Sequence, residues 1–329
     1  MAATRKPLLL LFVLLLSTSA VTVSWLGWRA PINASAAETS ATDIDQAIDQ
    51  NAASTITRGR QIFRYDTFGD EAFWTDALGM QRAIEGSELG GVGAGVSPKL
   101  ALSVGLKVDM DKLPPDLVAQ IKAGRVDLNL PATTLALLSL DSVVGLKASV
   151  IGSGIQMRVQ RIGITCALCH STVDNAFAPG IGHRLDGWPN RDLNVGAIVA
   201  LAPDLTVVQK LLGVDRPTVI KVLHSWGPGK FDAELFMDGK AFRPDGKSAA
   251  TLLPAAFGLA GVNLHTYTGW GSVTHWNGFV ANLEMQGQGT FFDPRLNDTN
   301  RFPVAARMGF GNVRHTPDLI TPPFTFISS

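Results

Sequence analysis

Cys166, Cys169 and His170 stand together in the stretch CALCH, and the two cysteines are the whole cysteine inventory of 329 residues. Thiols at i and i+3 share one helical turn. Both can therefore reach the two vinyl edges of a single haem while the adjacent imidazole reaches the iron from the same face. That is a c-type attachment geometry, with one covalent haem c held by Cys166 and Cys169 and with His170 as the proximal metal ligand. Two other chemistries use the same spacing. A redox-active disulfide sits at the end of a strand in a βαβ pattern, and half of a zinc site needs two further soft or imidazole ligands. No third cysteine exists to supply zinc.

The composition is that of a globular chain with 46% hydrophobic residues, enough to bury a large core. Lys plus Arg equals Asp plus Glu at 28 each, so there is no basic field for nucleic acid and nucleic-acid binding is not expected. Residues 1–37 read as a signal peptide or N-terminal anchor. Arg5 and Lys6 precede an uncharged stretch from Pro7 to Trp28, and Ala34 and Ala36 suit a small-residue cleavage site. The uncharged run is long enough, at roughly 20 residues, to anchor the chain in a membrane if it is retained. Either way the remainder is expected in the periplasm, the compartment in which bacterial thioether attachment takes place.

The elements that must position the motif are mostly short, as 33 Gly and 18 Pro imply. Residues 115–146 read as two helices split near Pro131, and 148–164 as a hairpin leading into the motif. Residues 192–223 alternate apolar clusters with Pro203, Gly213 and Pro217, giving two or three short helices, and Asp215 and Gly227 bracket the last of them. The glycines of GGVGAGVS at 90–97 lack the strand, Lys and acidic residue of a phosphate site and read as a loop.

CALCH with the downstream APGIG resembles the cytochrome c superfamily. The resemblance implies that His170 ligates iron through Nε2 and donates its other ring nitrogen to a carbonyl near Pro179. RGRQIFRYDTFGDEAFW, from Arg58, resembles the start of a cytochrome c N-terminal helix, in which Gly59, Ile62 and Phe63 would pack against another helix. The alternative is an amphipathic surface helix with Phe63, Phe73 and Trp74 in the core. A longer stretch, TLLPAAFGLAGVNLHTYTGWGSVTHWNGFVANLEMQG, resembles part of the bacterial di-haem cytochrome c peroxidases and related oxygenases. Trp270-Gly271 takes the place of that family's Trp-Asp-Gly, without its Asp and Arg. The family carries two CxxCH motifs and this chain one, which implies a mono-haem relative or a truncated one.

That resemblance places the Trp270 turn over a haem, so the flanking His265 and His275 are the leading distal ligands, with Met285 a third candidate on a helix shared with Phe279, Val280 and Leu283. His183, Arg184, Trp188 and Arg191 are candidates to hydrogen-bond a propionate. An axial Met would raise the potential and close the iron, whereas a missing ligand would open it to peroxide or dioxygen.

The expected fold is mainly α: a cytochrome c-like haem domain over 55–315 with a large insertion at about 75–160 and many loops, preceded by a linker at 38–54 and followed by a tail at 316–329. The expected function is periplasmic electron transfer with a redox partner protein; the alternative is a peroxidase- or oxygenase-like enzyme.

Overall fold

A computed structural model describes residues 43–259, 262, 264–265, 269–289 and 291–310, with the side chain of His265 outside the description. The expected signal peptide or anchor at 1–37 and the expected tail at 316–329 lie outside the described residues. By packing the chain divides into residues 1–50 and 51–329. Of the first unit, the described part is the beginning of helix α1 (Asp43–Tyr65).

In the second unit a π-helical turn (Ala72–Ala77) leads to α2 (Met80–Glu85), α3 (Pro98–Ser103), β1 (Val108–Asp109), α4 (Pro115–Lys122) and α5 (Pro131–Ser139). The hairpin β2 (Leu146–Ile151) and β3 (Arg158–Ile164) follows, then α6 (Ala167–His170), which carries the motif, then β4 (Ser171–Val173), β5 (Ile181–Gly182) and β6 (Arg184–Asp186). Three helices come next, α7 (Val195–Ala200), α8 (Thr206–Leu212) and α9 (Arg216–Trp226), then β7 (Lys230–Phe231), α10 (Leu235–Asp238) and β8 (Thr251–Leu252). The described chain closes with β9 (Leu264–His265), β10 (Gly271–Ser272), α11 (Val273–Phe279), a second π-helical turn (Val280–Glu284) and α12 (Pro303–Met308).

The expectation of a mainly α fold is corrected. Of the described residues 47% are helical and 13% strand, with several small sheets, a mixed α/β architecture. The cause is visible in residue type: the β-branched runs KASVI and RVQRIGI pair as β2 and β3, while glycines and prolines keep the helices short. The sheets among the described residues are two-stranded; β1 pairs β5 in parallel and the rest are antiparallel.

The hairpin positions the motif, and its outer edge is buried against helices. A buried strand edge leaves backbone groups that need partners. Three side chains from the helical layer supply them. Glu85 at the end of α2 accepts from the Val159 amide at 2.7 Å, Thr75 accepts from the Ile162 amide and donates to its carbonyl, both at 2.7 Å, and Asp70 accepts from the Ile164 amide at 3.1 Å. β3 is thereby fixed along its length up to the residue before Thr165-Cys166.

The main core cluster joins α2, α3, α5, both hairpin strands and α7 to α9, and Cys166 and Cys169 pack at its partly buried margin. A second cluster of Met237, Phe279, Leu283, Phe291, Leu296 and Ala305 lies under α11. The start of the sequence-predicted N-terminal helix forms as the last turns of α1. There Phe63 packs on Val144, Ala167 and Val173, and Ile62 on the main core, but no atom lies within 4 Å of a side chain added at Gly59.

Candidate haem-attachment site

The motif turn is built from its neighbours inward. Thr165 donates its amide to the Gly145 carbonyl at 2.9 Å, and Leu168 and His170 close the turn through amides to Thr165 and Cys166. Gly145 has φ +81°, and a Cβ there would stand 2.1 Å from Leu168 Cα, so only glycine lets the β2 end approach the turn. Ala167 and Leu168, between the cysteines, are fully buried and anchor the turn from behind. Cys166, Cys169 and His170 are half-buried.

The C-terminal carbonyls of this turn are taken by the loop after β6. Gly187 donates to the His170 carbonyl at 2.8 Å and Asn190 to the Cys169 carbonyl at 2.9 Å. The same Gly187 accepts from the Ala256 amide at 2.8 Å. That contact draws in the segment 254–257, and the Pro254 carbonyl accepts from His170 Nδ1 at 3.0 Å. A carbonyl can only accept, so Nδ1 carries a proton, as it does in a histidine that ligates metal through Nε2. The resemblance implied a carbonyl near Pro179; the residue that serves is Pro254. Gly187 has φ +83°, and a Cβ on it would meet Phe257 Cβ at 3.0 Å. Phe257 in turn packs on Trp188 with ring centroids 5.3 Å apart, and each ring is about half exposed.

The two thiols are free. Burial pushes both up to about 12. Among the described residues no group of three or more His, Cys, Asp or Glu is placed to hold a metal ion by itself.

Sequence reasoning missed the acids beside the motif. Glu284, on the second π-helical turn, is pushed up to about 8 by burial and by Asp232, and its charge acts on both thiols. Asp232 is pushed up to about 7, chiefly by burial, and its Oδ2 is buried without a hydrogen bond. Asp70 is fully buried and pushed up to about 10 by burial and then by Glu71. The π geometry over 280–284 is the one sequence-invisible feature that sets Glu284 where it is, since an α-helical pattern was expected there; such turns recur at functional sites.

Asp186 works in the opposite sense. Burial opposes its charge, but the Ser171 hydroxyl at 2.8 Å and the Arg184 guanidinium at 2.5 Å hold it below the usual range, and Arg64 binds its other oxygen at 2.6 Å. Arg184, named from the sequence as a propionate partner, is thus committed to Asp186, although its Nη2 is buried without a partner. His183 pairs through Nδ1 with Asp111 at 2.8 Å on the surface, and Arg191 is exposed.

Met285 and His275 pack against different clusters. Met285 is buried in the main cluster, whose margin holds the cysteines, and its carbonyl accepts from Trp74 Nε1 at 3.1 Å. His275 belongs to the region of the second cluster: its Nε2 meets Asp293 at 3.2 Å, and its ring packs on Phe291 at 5.1 Å. The backbone of His265 pairs with Gly271 across β9 and β10. Trp270 meets an arginine from downstream. Arg295 covers its ring at 4.0 Å, donates to its carbonyl at 2.5 Å and pairs with Asp293.

No family model, curated protein or solved structure matches the chain.

Proposed function

We propose that this chain is an exported c-type cytochrome that carries one haem on Cys166 and Cys169, ligated by His170, and exchanges single electrons with a redox partner protein in the periplasm. The observation that carries the reading is the His170 Nδ1 bond to the Pro254 carbonyl, the hydrogen bond that orients a histidine for ligation through Nε2. The donor set of two adjacent sulfurs and one carbonyl-oriented imidazole fits a covalently tethered haem. Bound there, the haem supplies a one-electron iron couple. The chain tethers it at two sulfurs, orients the imidazole by a backbone carbonyl, and backs the turn with Ala167 and Leu168 against water.

The test is the chain expressed in a periplasm with haem-ligation machinery, followed by denaturing gel, mass and pyridine haemochrome spectrum. The expected result is one haem mass per chain, lost in Cys166→Ala plus Cys169→Ala. Absence of covalent haem in the unaltered chain overturns the reading and returns the cysteines to a redox-pair test.

One observation favours a second reading, a haem peroxidase or oxygenase. Glu284 is a carboxyl that holds its proton near neutrality beside the attachment thiols, as a group that gives and takes protons must. A high-spin ferric spectrum with carbon monoxide binding on reduction and reaction with peroxide supports that reading; a low-spin spectrum indifferent to both supports the electron carrier.

A further inference from the structure

Behind the motif turn, on the side of Leu168, lies a cavity of about 70 Å³ whose wall is wholly apolar. Leu168, Ile164, Ile162, Leu138, Val143 and Val108 line it, with Ile198 and the partly exposed Leu201 toward its outer end. Two lining residues carry polar side-chain atoms, and both are engaged elsewhere. Thr134 donates its hydroxyl to the Val96 carbonyl at 2.6 Å, and Trp74 donates Nε1 to the Met285 carbonyl at 3.1 Å. A water needs two to four polar partners to stay in such a space, and this wall offers it none, so the cavity excludes water on energetic grounds. Leaving it empty also has a cost, since the lining atoms forgo dispersion contacts on that side. An engineered apolar cavity of about 150 Å³ takes benzene or xenon. This one is about half that volume.

We propose that the cavity is a binding site for one small apolar molecule of the size of dioxygen or xenon, entered past Ile198 and Leu201. Its wall includes Ile164 and Leu168, on either side of Cys166 in the chain, so its occupant packs directly against the turn that carries both thiols. The site is built by the packed core and does not depend on whether a haem is attached.

The experiment is methyl NMR of the intact protein under increasing xenon pressure, with Ala101→Leu, which places a larger side chain into the cavity wall, as the comparison. Pressure-dependent shifts are expected at the Leu168, Ile162 and Leu138 methyls and not at Leu283 and Leu296, which are equally buried in the second cluster. The response should be lost in Ala101→Leu, or in the milder Val143→Ile should the first variant fail to fold. Unmoved Leu168 and Ile162 methyls in the unaltered protein overturn the proposal, as does a folded filled variant with an undiminished response. A chain that lacks haem but shows the xenon shifts refutes only the cytochrome reading, and the reverse result refutes only the cavity.

Discussion

Asp70 accepts the Ile164 amide through a carboxyl with no exposed surface, 94 residues away in sequence and two residues before Cys166. The bond ends the series by which Glu85, Thr75 and Asp70 satisfy the outer edge of β3, so the entry to the motif turn is fixed by side chains from the preceding helical layer.

Asp70→Ala should strand the Ile164 amide and lower stability by about 1–3 kcal/mol in a denaturant titration. Asp70→Asn retains an acceptor and no charge to bury, and should lose less than half as much. Thr75→Val, which removes a donor and an acceptor from Ile162 at once, should fall in the same range.

Gly187 is the hinge between the two segments that hold His170. Gly187→Ala must move Phe257 or abandon a positive φ, and either change loosens the Pro254 carbonyl from Nδ1. For the haem-loaded chain the expected outcome is an imidazole displaced by added ligand about ten times more readily, with a higher reduction potential, because a less basic imidazole stabilises ferric iron less. An optical ligand titration and a redox titration check it. An unchanged potential would show that the carbonyl does not tune the ring.

The pH dependence of stability has a definite sign. Asp232 and Glu284 hold protons in the folded chain up to about 7 and 8, whereas the unfolded chain releases them near 4. Between those limits the folded state binds more protons, so their contribution is complete below about pH 4 and is lost as pH rises through 7 to 8. Glu284→Gln should flatten the decline in melting temperature between pH 5 and 8. Asp186, held low by Ser171 and Arg184 against burial, acts in reverse and contributes only above its unfolded value.

Asp186→Ala should leave the Arg184 guanidinium, with 5% of its side chain exposed, without its counter-ion. The expected cost is about 3 kcal/mol, the low end for a broken buried pair because Asp186 keeps a quarter of its own surface in solvent. Arg64→Ala, which removes the more exposed partner, should cost less. Equal losses would mean that the Arg64 bond carries most of what Asp186 contributes.

Much of the local structure was legible from residue pattern. The hairpin before the motif, the helix pair flanking Pro131 and the three helices between 195 and 226 all form, and Asp215 caps the last by accepting from the Thr218 amide at 3.0 Å. What the pattern could not show was pairing between distant two- and three-residue segments, which made the fold mixed and not mainly α. It also could not show which carbonyl faces His170, because Pro254 reaches the ring only through Gly187 and Ala256. Nor could helical periodicity reveal that 280–284 winds as a π turn and carries Glu284 toward the thiols. The contact of Arg295 with the Trp270 ring, and the pairing of Arg295 with Asp293, join residues far apart in sequence that no local motif records.

The depth at which the two thiols are packed has a bearing on timing. In an unfolded chain a cysteine loses its proton near 8.5, but in the finished fold these two hold theirs to about 12. The fraction present as thiolate therefore drops by about three orders of magnitude as the chain packs. A bond at these sulfurs is therefore made more readily in the unfolded chain than in the packed one.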